Sequence, residues 1–500
     1  MTGRPAEARA AGHRPGDPNG YEVVIGLEVH CQLRTASKLF SPAPVVYDRE
    51  PNHSVHPICL GLPGVLPVLN GHAVELAIRA GLATHCSVHE CSIFARKNYF
   101  YPDLPKGYQI SQFEEPLATG GWIELLAGEG EVAERRRIGL TRIHMEEDAG
   151  KSIHDASIAG HGTQVDLNRA GVPLLEIVSE PELRSPAEAG NYLRTLRGIL
   201  RYIDVSDADL EKGQFRCDAN LSLRAKGAAQ LGTRTELKNL NSFRFVEEAL
   251  EAEIERQAAL LDAGEPVLQA TMAYDSVTRR TRVLRLKENA DDYRYFPDPD
   301  LVPLRLSPEQ IERVRGELPE LAEAKRVRFE TQYGLSGYDA RLLTESRTLA
   351  DFFEATVAAY GPAKPVANWI LRDVLQALGV QEREIEAAAL TPETLACLIR
   401  LVDTGRTTAK GARSLVPELV ERGGDPEALV RERGIEAVAD SGTLEPAVDE
   451  VLAAHGDDVE RYRGGEKRVL NFLMGQVMKK TGGKADPGAV REILARKLDG

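Results

Sequence analysis

The stretch Tyr21–Leu33, YEVVIGLEVHCQL, has the alternation of apolar and polar residues that is typical of a β-strand. Side chains two positions apart on a strand face the same side, so Glu28 and His30 are expected to project together. A carboxylate beside an imidazole suits a divalent cation, although the same pair also occurs as an ordinary, partly buried polar contact. The stretch therefore predicts a strand and leaves its chemistry open.

A second candidate segment is Arg142–Ser152, RIHMEEDAGKS, in which Glu146, Glu147 and Asp148 are consecutive. Adjacent acids repel one another and normally lie in solvent, but a bound cation would reverse this cost, and Mg²⁺ prefers such oxygen ligands. The GKS ending is not that of a P-loop, because the first glycine of G-x-x-x-x-G-K-S would fall at Met145. The run predicts either a solvated turn or part of a magnesium site.

Glu176 interrupts the apolar stretch Leu174–Val178, LLEIV. An unpaired carboxylate among apolar side chains is costly, so Glu176 is expected to have a cation or a hydrogen-bond donor, or to face solvent. In Arg234–Ser242, RTELKNLNS, Lys238 and Asn239 are expected to lead into a helix, whose N-terminus favours anions. That segment predicts either a phosphate contact or a plain capping loop.

Cations adjoin aromatic rings in Arg96–Asp103, RKNYFYPD, which predicts either a nucleotide contact or a wedged loop. The nearby His85, Cys86, His89 and Cys91 are zinc-type ligands, but their spacing matches no standard zinc knuckle. Zinc binding by these four side chains is left as an open alternative.

The composition is that of a globular chain with several domains. Its 500 residues are too many for one core, and its net charge of −14 excludes an overall cationic coat for nucleic acid. The six cysteines show no disulfide framework, and no apolar run approaches the ~18 residues of a membrane span. These features predict a cytoplasmic protein that associates with no membrane. Residues 1–20 are expected to be a flexible arm.

Strand and helix patterns alternate irregularly over residues 21–306, which predicts an α+β domain. The clearest expected elements are a helix with Ser185 as its cap and Glu188 completing a capping box, a helix from about Phe245 to Leu261, and a hairpin formed by residues 268–274 and 281–286.

Helical patterns dominate after residue 306, starting from the cap signal at Ser307. We expect a helical domain over residues 307–425 and a tail domain over residues 426–500. Residues 461–500 contain ten Lys/Arg and four Asp/Glu, a formal charge of +6 (10 − 4) in an acidic chain. That segment predicts either a nucleic-acid contact or a solvated helix face.

Taken in order, several motifs resemble the B subunit of the glutamyl/aspartyl-tRNA amidotransferases: GLEVH, RKNYFYPDLPKGYQISQ, HMEEDAGKS, DLNRAGVPLLEIVSEPE, RCDANLSLR, ELKNLNSF and DDYRYFPDPDLVPL. The DLNRAGVPLLEIVSEPE run is the most specific to that family. The resemblance extends from about residue 21 to the C-terminus, where FLMGQVMKKTGGKADP is similar to the family's closing module.

The resemblance implies a cradle domain over residues 21–306 that is similar to the catalytic fold of glutamine synthetase. A helical domain and a small YqeY-like helical tail that binds tRNA are implied to follow. The implied activity is ATP-dependent phosphoryl activation of the side-chain carboxylate of misacylated Glu-tRNA(Gln) or Asp-tRNA(Asn), followed by amidation. ATP is the implied substrate and Mg²⁺ the implied cofactor.

The resemblance also implies which residues perform this chemistry. The metal and phosphoryl-transfer residues would be Glu28, His30, Glu146, Glu147, Glu176 and Glu236, all of them except Glu146 also being assigned to catalysis. Lys97 matches a nucleotide-contacting lysine of the family and joins Lys238 and Asn239 as the expected ATP contacts. In the basic tail, the expected tRNA contacts are Lys479, Lys480 and Lys484.

The sequence contains no amidase-type Gly/Ser-rich stretch, nucleophile elbow or evident Cys–His glutaminase arrangement. The resemblance therefore implies that ammonia comes from the family's amidase (glutaminase) subunit, which a small third subunit holds in place. An association with a non-discriminating aminoacyl-tRNA synthetase is left open. Two other functions are also left open: a non-catalytic protein that binds tRNA and assembles the complex, and a stand-alone ATP-dependent ligase that uses free ammonia.

Overall fold

The computed structural model describes residues 20–47, 49–127, 134–153, 163–240, 242–286, 293–437, 441–482 and 485–499, without the side chains of residues 126, 127, 134, 239, 286 and 441–443. The chain divides into two compact units, Met1–Leu321 and Ala322–Gly500. The arm expected over residues 1–20 lies outside the described residues except for Gly20. Within the described part of the chain, no helix has the length and apolar character needed to span a membrane.

Strands of the first unit form one large sheet and three small ones. Their bounds are β1 Tyr21–Gln32, β2 Ser87–Val88, β3 Cys91–Ser92, β4 Ala95–Asn98, β5 Tyr108–Ser111, β6 Ala118–Thr119, β7 Trp122–Ala127, β8 Glu134–Glu147, β9 Lys151–Ile153, β10 Gln164–Asp166, β11 Pro173–Ser179, β12 Phe215–Ala225, β13 Thr235–Leu240, β14 Ala270–Asp275, β15 Arg280–Leu286, β16 Phe296–Pro297 and β17 Leu304–Arg305.

The large sheet has the order β15-β14-β13-β12-β1-β11-β8-β6-β2, with β7 also pairing with β8. Its neighbours are antiparallel except for β13 and β14, which are parallel. The strand predicted over Tyr21–Leu33 is thus confirmed as β1, near the middle of the sheet. The predicted hairpin is also confirmed, because β14 and β15 pair as antiparallel neighbours across the turn of residues 276–279.

Helices of the first unit are α1 Pro57–Leu60, α2 Gly71–Ala83, α3 Pro186–Tyr202, α4 Phe243–Asp262 and α5 Pro308–Glu317. The α3 cap forms as predicted, with the Ser185 hydroxyl accepting a hydrogen bond from the Glu188 amide at 3.1 Å. The capping box is corrected, because the Glu188 carboxylate accepts from the Arg184 amide at 2.7 Å, one residue before the cap. The helix predicted from Phe245 is confirmed as α4.

The two faces of the large sheet differ in character, because strand side chains alternate between faces. One face is apolar: Leu27, Val29 and Ile177 are buried in the same core as Leu193 of α3 and Leu250 of α4. The opposite face carries the polar residues of the same strands. The polar residues are therefore held in fixed register by a sheet whose other side is fully packed.

The domain boundary predicted at residue 306 is corrected to Leu321. The α5 helix does begin with the predicted cap, in which Ser307 and Gln310 exchange hydrogen bonds. However, Ile311 and Val314 of α5 are buried in the core of the first unit. A local cap signal marks where a helix starts but does not determine which core its apolar face joins.

The second unit is helical, and its bounds are α6 Ala322–Tyr333, α7 Gly337–Leu343, α8 Arg347–Tyr360, α9 Ala363–Trp369, a π-helical turn Ile370–Val374, α10 Leu375–Val380, a 3₁₀ turn Ile385–Ala387, α11 Pro392–Asp403, α12 Ala409–Arg422, α13 Pro426–Glu432, α14 Ser441–Ala454, α15 Gly456–Arg463, α16 Val469–Lys480 and α17 Pro487–Asp499.

This second unit contains two apolar cores. One gathers buried residues from Phe329 to Val430, and the other gathers residues from Leu444 to Leu498. The limit predicted between residues 425 and 426 is therefore displaced, because Val430 of α13 packs in the earlier core. The glycines before α13 indicate a turn, but burial assigns the helix after them to the preceding core.

Candidate active site

Three neighbouring strands align a row of ionisable side chains across the polar face. His30 of β1 lies opposite Glu176 of β11, and Glu176 lies opposite His144 of β8. The His30 Nε2 and His144 Nε2 atoms approach Glu176 Oε2 at 3.4 Å and 3.3 Å. The interruption of the apolar stretch by Glu176 is thereby explained, because this carboxylate is only 7% exposed and has two imidazoles as partners.

Glu146 joins this row from the end of β8. Its Oε1 lies 3.5 Å from His30 Nε2, and its Oε2 accepts a hydrogen bond from the Ser111 hydroxyl at 3.3 Å. Ligand atoms of His30, Glu146 and Glu176 all lie within 4.8 Å of one another, the one such group of three or more His, Cys, Asp or Glu residues among those described. We refer to His30, His144, Glu146 and Glu176 as the central cluster.

The electrostatics of the central cluster reflect close opposite charges in a buried place. Burial alone would lower the pKa of His30, but Glu176 and Glu146 raise it to about 9. Burial would raise the pKa of Glu176, whereas His144 and His30 hold it well below its ordinary value. The cluster therefore favours the ionised form of the Glu176 carboxylate and the protonated form of the His30 imidazole.

Lys97, on β4, supplies a further positive charge. Burial would lower its pKa, but Glu146, Tyr295 and Glu176 together raise it. Its ammonium also lies 5.1 Å from the centre of the Tyr293 ring, a cation–π distance. The predicted nucleotide-contacting lysine is thus placed in the electric field of the central cluster.

The three consecutive acids are buried, so a solvated turn is the wrong interpretation of that run. They also diverge. Glu147 Oε1 pairs with the ammonium of Lys106 and accepts from the Ile110 amide at 2.9 Å. The Asp148 carboxylate accepts from Arg216 and Gln32, each at 2.9 Å. Alternation along β8 separates Glu147 from Glu146, and Glu147 is not a member of the central cluster.

Glu28 lies on the same face as His30 but in a separate polar contact. Its Oε1 accepts a hydrogen bond from the Asn220 side-chain amide at 2.8 Å, and Asn220 Oδ1 is buried without a hydrogen-bond partner. Both residues line a cavity of about 320 Å³, together with Ser179 and Arg234. This cavity extends the polar face beyond the central cluster.

Glu236 and Lys238 lie on β13, which is the strand next to β12 in the large sheet. Glu236 accepts from the Thr271 hydroxyl at 3.1 Å, and Lys238 Nζ lies 2.5 Å from Asp218 Oδ2 and 3.4 Å from Glu236 Oε1. The expected placement at a helix N-terminus is wrong for Lys238, because the segment is a strand and Ser242 caps α4. Asn239 lies in β13, and its side chain is not described.

The four zinc-type ligands do not converge on a shared point. His85 stacks on Trp122 with 3.8 Å between ring centres, and His89 Nε2 lies 2.7 Å from the Thr119 hydroxyl. The Cys86 thiol lies 3.5 Å from the Thr84 hydroxyl. These three side chains thus each have a local structural partner.

Of the predicted tRNA contacts, Lys479 and Lys480 are exposed at the end of α16, and Lys484 lies outside the described residues. Lys480 pairs with Glu450 of α14. Residues 441–460 contain six Asp/Glu and no Lys/Arg, so they offset the +6 of residues 461–500 (−6 + 6 = 0). Residues 441–500 are therefore electrically balanced, although the last forty of them are basic.

Sequence reasoning missed His144, Lys106, Asp218 and Asn220 as members of the polar site. His144 was open to prediction, since it lies two residues before Glu146 and a strand would orient both alike. The other three had no signal in the sequence, because their partners are distant along the chain. Asn220 is 192 residues from Glu28, Lys106 is 41 residues from Glu147, and Asp218 is 20 residues from Lys238.

Comparison with known proteins places this geometry in a family. Residues 23–312 match the family model described as the GatB/GatE catalytic domain, and residues 351–498 match the GatB domain. A relative from Solidesulfovibrio magneticus is 52% identical over 96% of this chain and 99% of its own. Relatives from Geobacter sp. and Thermosynechococcus vestitus are 53% and 50% identical over 96% of this chain, and over 100% and 97% of their own lengths.

All three relatives are named as the B subunit of aspartyl/glutamyl-tRNA(Asn/Gln) amidotransferase. The matches first define the class, which is a component of a tRNA-dependent amidotransferase. Because they extend over nearly the whole chain, the protein belongs to the family of aspartyl/glutamyl-tRNA(Asn/Gln) amidotransferase B subunits.

Proposed function

We propose that this chain activates the side-chain carboxylate of Glu-tRNA(Gln) or Asp-tRNA(Asn) with ATP, so that ammonia can convert it to an amide. The observation that carries the proposal is the central cluster, in which two buried carboxylates and two imidazoles from three strands converge on one polar face. A protein that only bound tRNA would gain nothing from burying these acids, because buried charge is costly.

The reaction needs charge neutralisation more than it needs an acid or a base. A carboxylate resists attack because its oxygen is a poor leaving group. Transfer of the γ-phosphoryl group of ATP to that oxygen gives ADP and an acyl phosphate. Ammonia then attacks the carbonyl carbon, and phosphate leaves with the oxygen to give the amide. Both substrates of the first step are anions, so positioning and compensating charge dominate the catalysis.

The central cluster fits a divalent cation. Glu146 and Glu176 supply the carboxylate oxygens that Mg²⁺ prefers, and the His30 imidazole nitrogen, which must lose its proton to be a ligand, lies within 4.8 Å of them. When bound there, Mg²⁺ would reduce the repulsion between phosphate and carboxylate oxygens. The resemblance also implies Glu28, Glu147 and Glu236 as metal ligands, but these three lie outside this set of donors, and Glu147 pairs instead with Lys106.

Other residues of the polar face would bind and orient the substrates. Lys97 can neutralise phosphate charge beside the central cluster. Glu28 and Asn220 line the 320 Å³ cavity, and Asn220 Oδ1 is a buried acceptor that could receive a donor from the nucleotide. Lys238 places an ammonium group on the same face, where it pairs with Asp218 and Glu236. The expected relation to the glutamine synthetase fold stays a prediction.

The remaining parts of the proposal concern partners. The chain lacks a glutaminase motif, so the amidase (glutaminase) subunit would release ammonia from glutamine, with a small third subunit joining the two. Lys479, Lys480 and Lys484 of the tail would contact the tRNA backbone. A non-discriminating aminoacyl-tRNA synthetase would supply the misacylated tRNA.

The test is ATP turnover and amidation by the complex of all three subunits, with and without misacylated tRNA. We expect ATP hydrolysis to require the charged tRNA, and ammonium chloride to replace glutamine. His30→Ala should abolish amidation while glutamine hydrolysis stays measurable. If His30→Ala amidates at the wild-type rate when Mg²⁺ is limiting, the assignment of the metal site is wrong. Amidation by this chain alone with ammonium chloride, at the rate of the complex, would favour the stand-alone ligase.

A further inference from the structure

A second cavity of about 300 Å³ lies in the first unit and is walled by aromatic side chains. Its lining includes Phe113, Tyr295 and Phe296, together with the charged residues Glu114, Glu115 and Arg294. None of these residues is assigned a role by the reaction described above. The rings and charges together suggest a site for a flat, polar ligand.

The aromatic wall is held in place before any ligand binds. Phe113 and Tyr295 stack with 4.2 Å between ring centres and 8° between ring planes. The Asn98 side-chain amide donates to the Arg294 carbonyl at 2.8 Å, and Phe296 pairs with Arg96 between β16 and β4. Phe296 nevertheless stays 44% exposed. Pre-oriented, accessible rings are the usual platform for an unpaired nucleobase.

The cavity adjoins the central cluster. Ser111, at the end of β5, donates its hydroxyl to Glu146 Oε2 at 3.3 Å, and Phe113 follows two residues later. The side-chain carbonyl of the intervening Gln112 accepts from the Met145 amide at 3.0 Å, which fixes this segment against β8. Tyr295 is close enough to the cluster for Lys97 and the cluster's glutamates to influence its pKa, although burial raises that pKa most. A ligand in the cavity would therefore lie beside the reacting groups.

The charges of the cavity select among nucleotide ligands. Glu114 and Glu115 are exposed carboxylates, whereas Arg294 is the single cation of the lining as the structure describes it. Two carboxylates repel a triphosphate but accept hydrogen bonds from the amino groups of a base and the hydroxyls of a ribose. The cavity thus suits a nucleoside with one neighbouring phosphate better than it suits ATP.

We propose that this cavity binds the 3′-terminal nucleoside of the misacylated tRNA and so directs the attached amino acid to the central cluster. The inference rests on the proposed function, because the amino acid is esterified to that terminal ribose and its carboxylate must reach the activating site. Phe113 and Phe296 stack on the base, and Arg294 contacts the phosphate that precedes it.

The test is a double-mutant cycle on tRNA binding by the complex of all three subunits. Fluorescence anisotropy would measure the Kd of labelled uncharged tRNA, intact or lacking its 3′-terminal nucleotide, for wild type and Phe113→Ala. We expect each single change to weaken binding by about 5- to 150-fold, the range for removal of one base stack. The Phe113→Ala variant with the shortened tRNA, which combines both changes, should bind no more weakly than either single change alone.

Two further variants make the result decisive. Phe296→Ala removes an exposed ring and should weaken tRNA binding as Phe113→Ala does, so it keeps the test valid if Phe113→Ala impairs folding. Tyr338→Ala, an exposed ring of the second unit that is 64% accessible, is the matched control and should leave the Kd unchanged. If removal of the terminal nucleotide weakens binding equally in wild type and in both cavity variants, the proposal is wrong.

The same variants separate the tRNA from ATP as the ligand. Their Kd for ADP with Mg²⁺ should match that of wild type, and a weaker Kd for ADP with unchanged tRNA binding would overturn the proposal. Failure of the proposed function itself would appear elsewhere, as an absence of tRNA-dependent ATP turnover by wild type. The binding cycle requires no turnover, so the two failures are distinguishable.

Discussion

The polar face of the large sheet and the C-terminal tail are both rich in charge, yet they use charge in opposite ways. Glu146 and Glu176 are 2% and 7% exposed and receive partners from three strands that are far apart in the sequence. In the tail, Lys480 and Glu450 are 43% and 63% exposed on neighbouring helices. Buried charge demands exact partners, whereas exposed charge tolerates loose ones. This difference predicts where substitutions will matter.

The largest expected effect comes from the central cluster. Glu176→Gln removes the charge that both imidazoles face, so amidation by the complex should fall by at least roughly 100-fold. Tail variant Glu450→Gln changes the same group on an exposed helix and should keep amidation within about twofold. A combined His30→Ala and Glu176→Gln variant should be little worse than either alone, because the groups act as a unit. Equal amidation by Glu176→Gln and Glu450→Gln would show that buried and exposed carboxylates do not differ in importance here.

Next in size is a buried ion pair. Glu147→Ala leaves Lys106 as an unpaired cation whose side chain is 6% exposed, which should destabilise the first unit by about 3–5 kcal/mol. Lys480→Ala breaks an exposed pair of the same type and should change stability by about 1 kcal/mol or less. Calorimetry of both full-length variants would measure this. A decrease below about 1 kcal/mol for Glu147→Ala would mean that solvent reaches Lys106.

A third prediction concerns pH. Burial would raise the pKa of Glu253, but Arg256 and Gln257 hold it below its ordinary value. A lowered carboxyl pKa gives stability that is present above the unfolded pKa, about 4.3, and is lost as pH falls through the folded pKa. Glu253→Gln should therefore cost about 1–3 kcal/mol near neutral pH and less in acid.

Thermal melting of Glu253→Gln between about pH 3 and pH 7 would measure that difference. Glu255→Gln, an exposed acid on the same helix, is the control and should follow the wild-type pH profile. A Glu253→Gln curve parallel to wild type at every pH would show that the destabilisation is one of packing and not of charge.

The smallest expected effect lies in the tail. Replacing Lys479 and Lys480 with Ala should weaken binding of misacylated tRNA. It should also flatten the slope of log K against log salt, by roughly 0.7–0.9 for each phosphate that the variant no longer touches. Because Glu450 holds Lys480, Glu450→Gln should free this cation and strengthen binding slightly. Nitrocellulose filter binding at several salt concentrations would detect both changes. An unchanged slope would make the tail a packing module.

Local physics in the sequence determined much of this protein. Alternation predicted β1 and the common face of Glu28 and His30, and Ser/Pro signals predicted the starts of α3 and α5. These features depend on a few neighbouring residues, whose φ/ψ preferences and capping hydrogen bonds act over one turn. The ordered motifs also indicated the family, because their combination over nearly the whole chain is far more specific than any one of them.

Only the tertiary structure decided which acids meet. Glu146 and Glu147 are neighbours in sequence, yet one joins His30 and the other pairs with Lys106, because successive strand residues face opposite sides. Tertiary packing also buries α5 in the core of the first unit, and it pairs Lys480 and Lys497 of the tail with acids of α14. Such contacts depend on register and burial between distant segments, which the periodicity of one segment cannot specify.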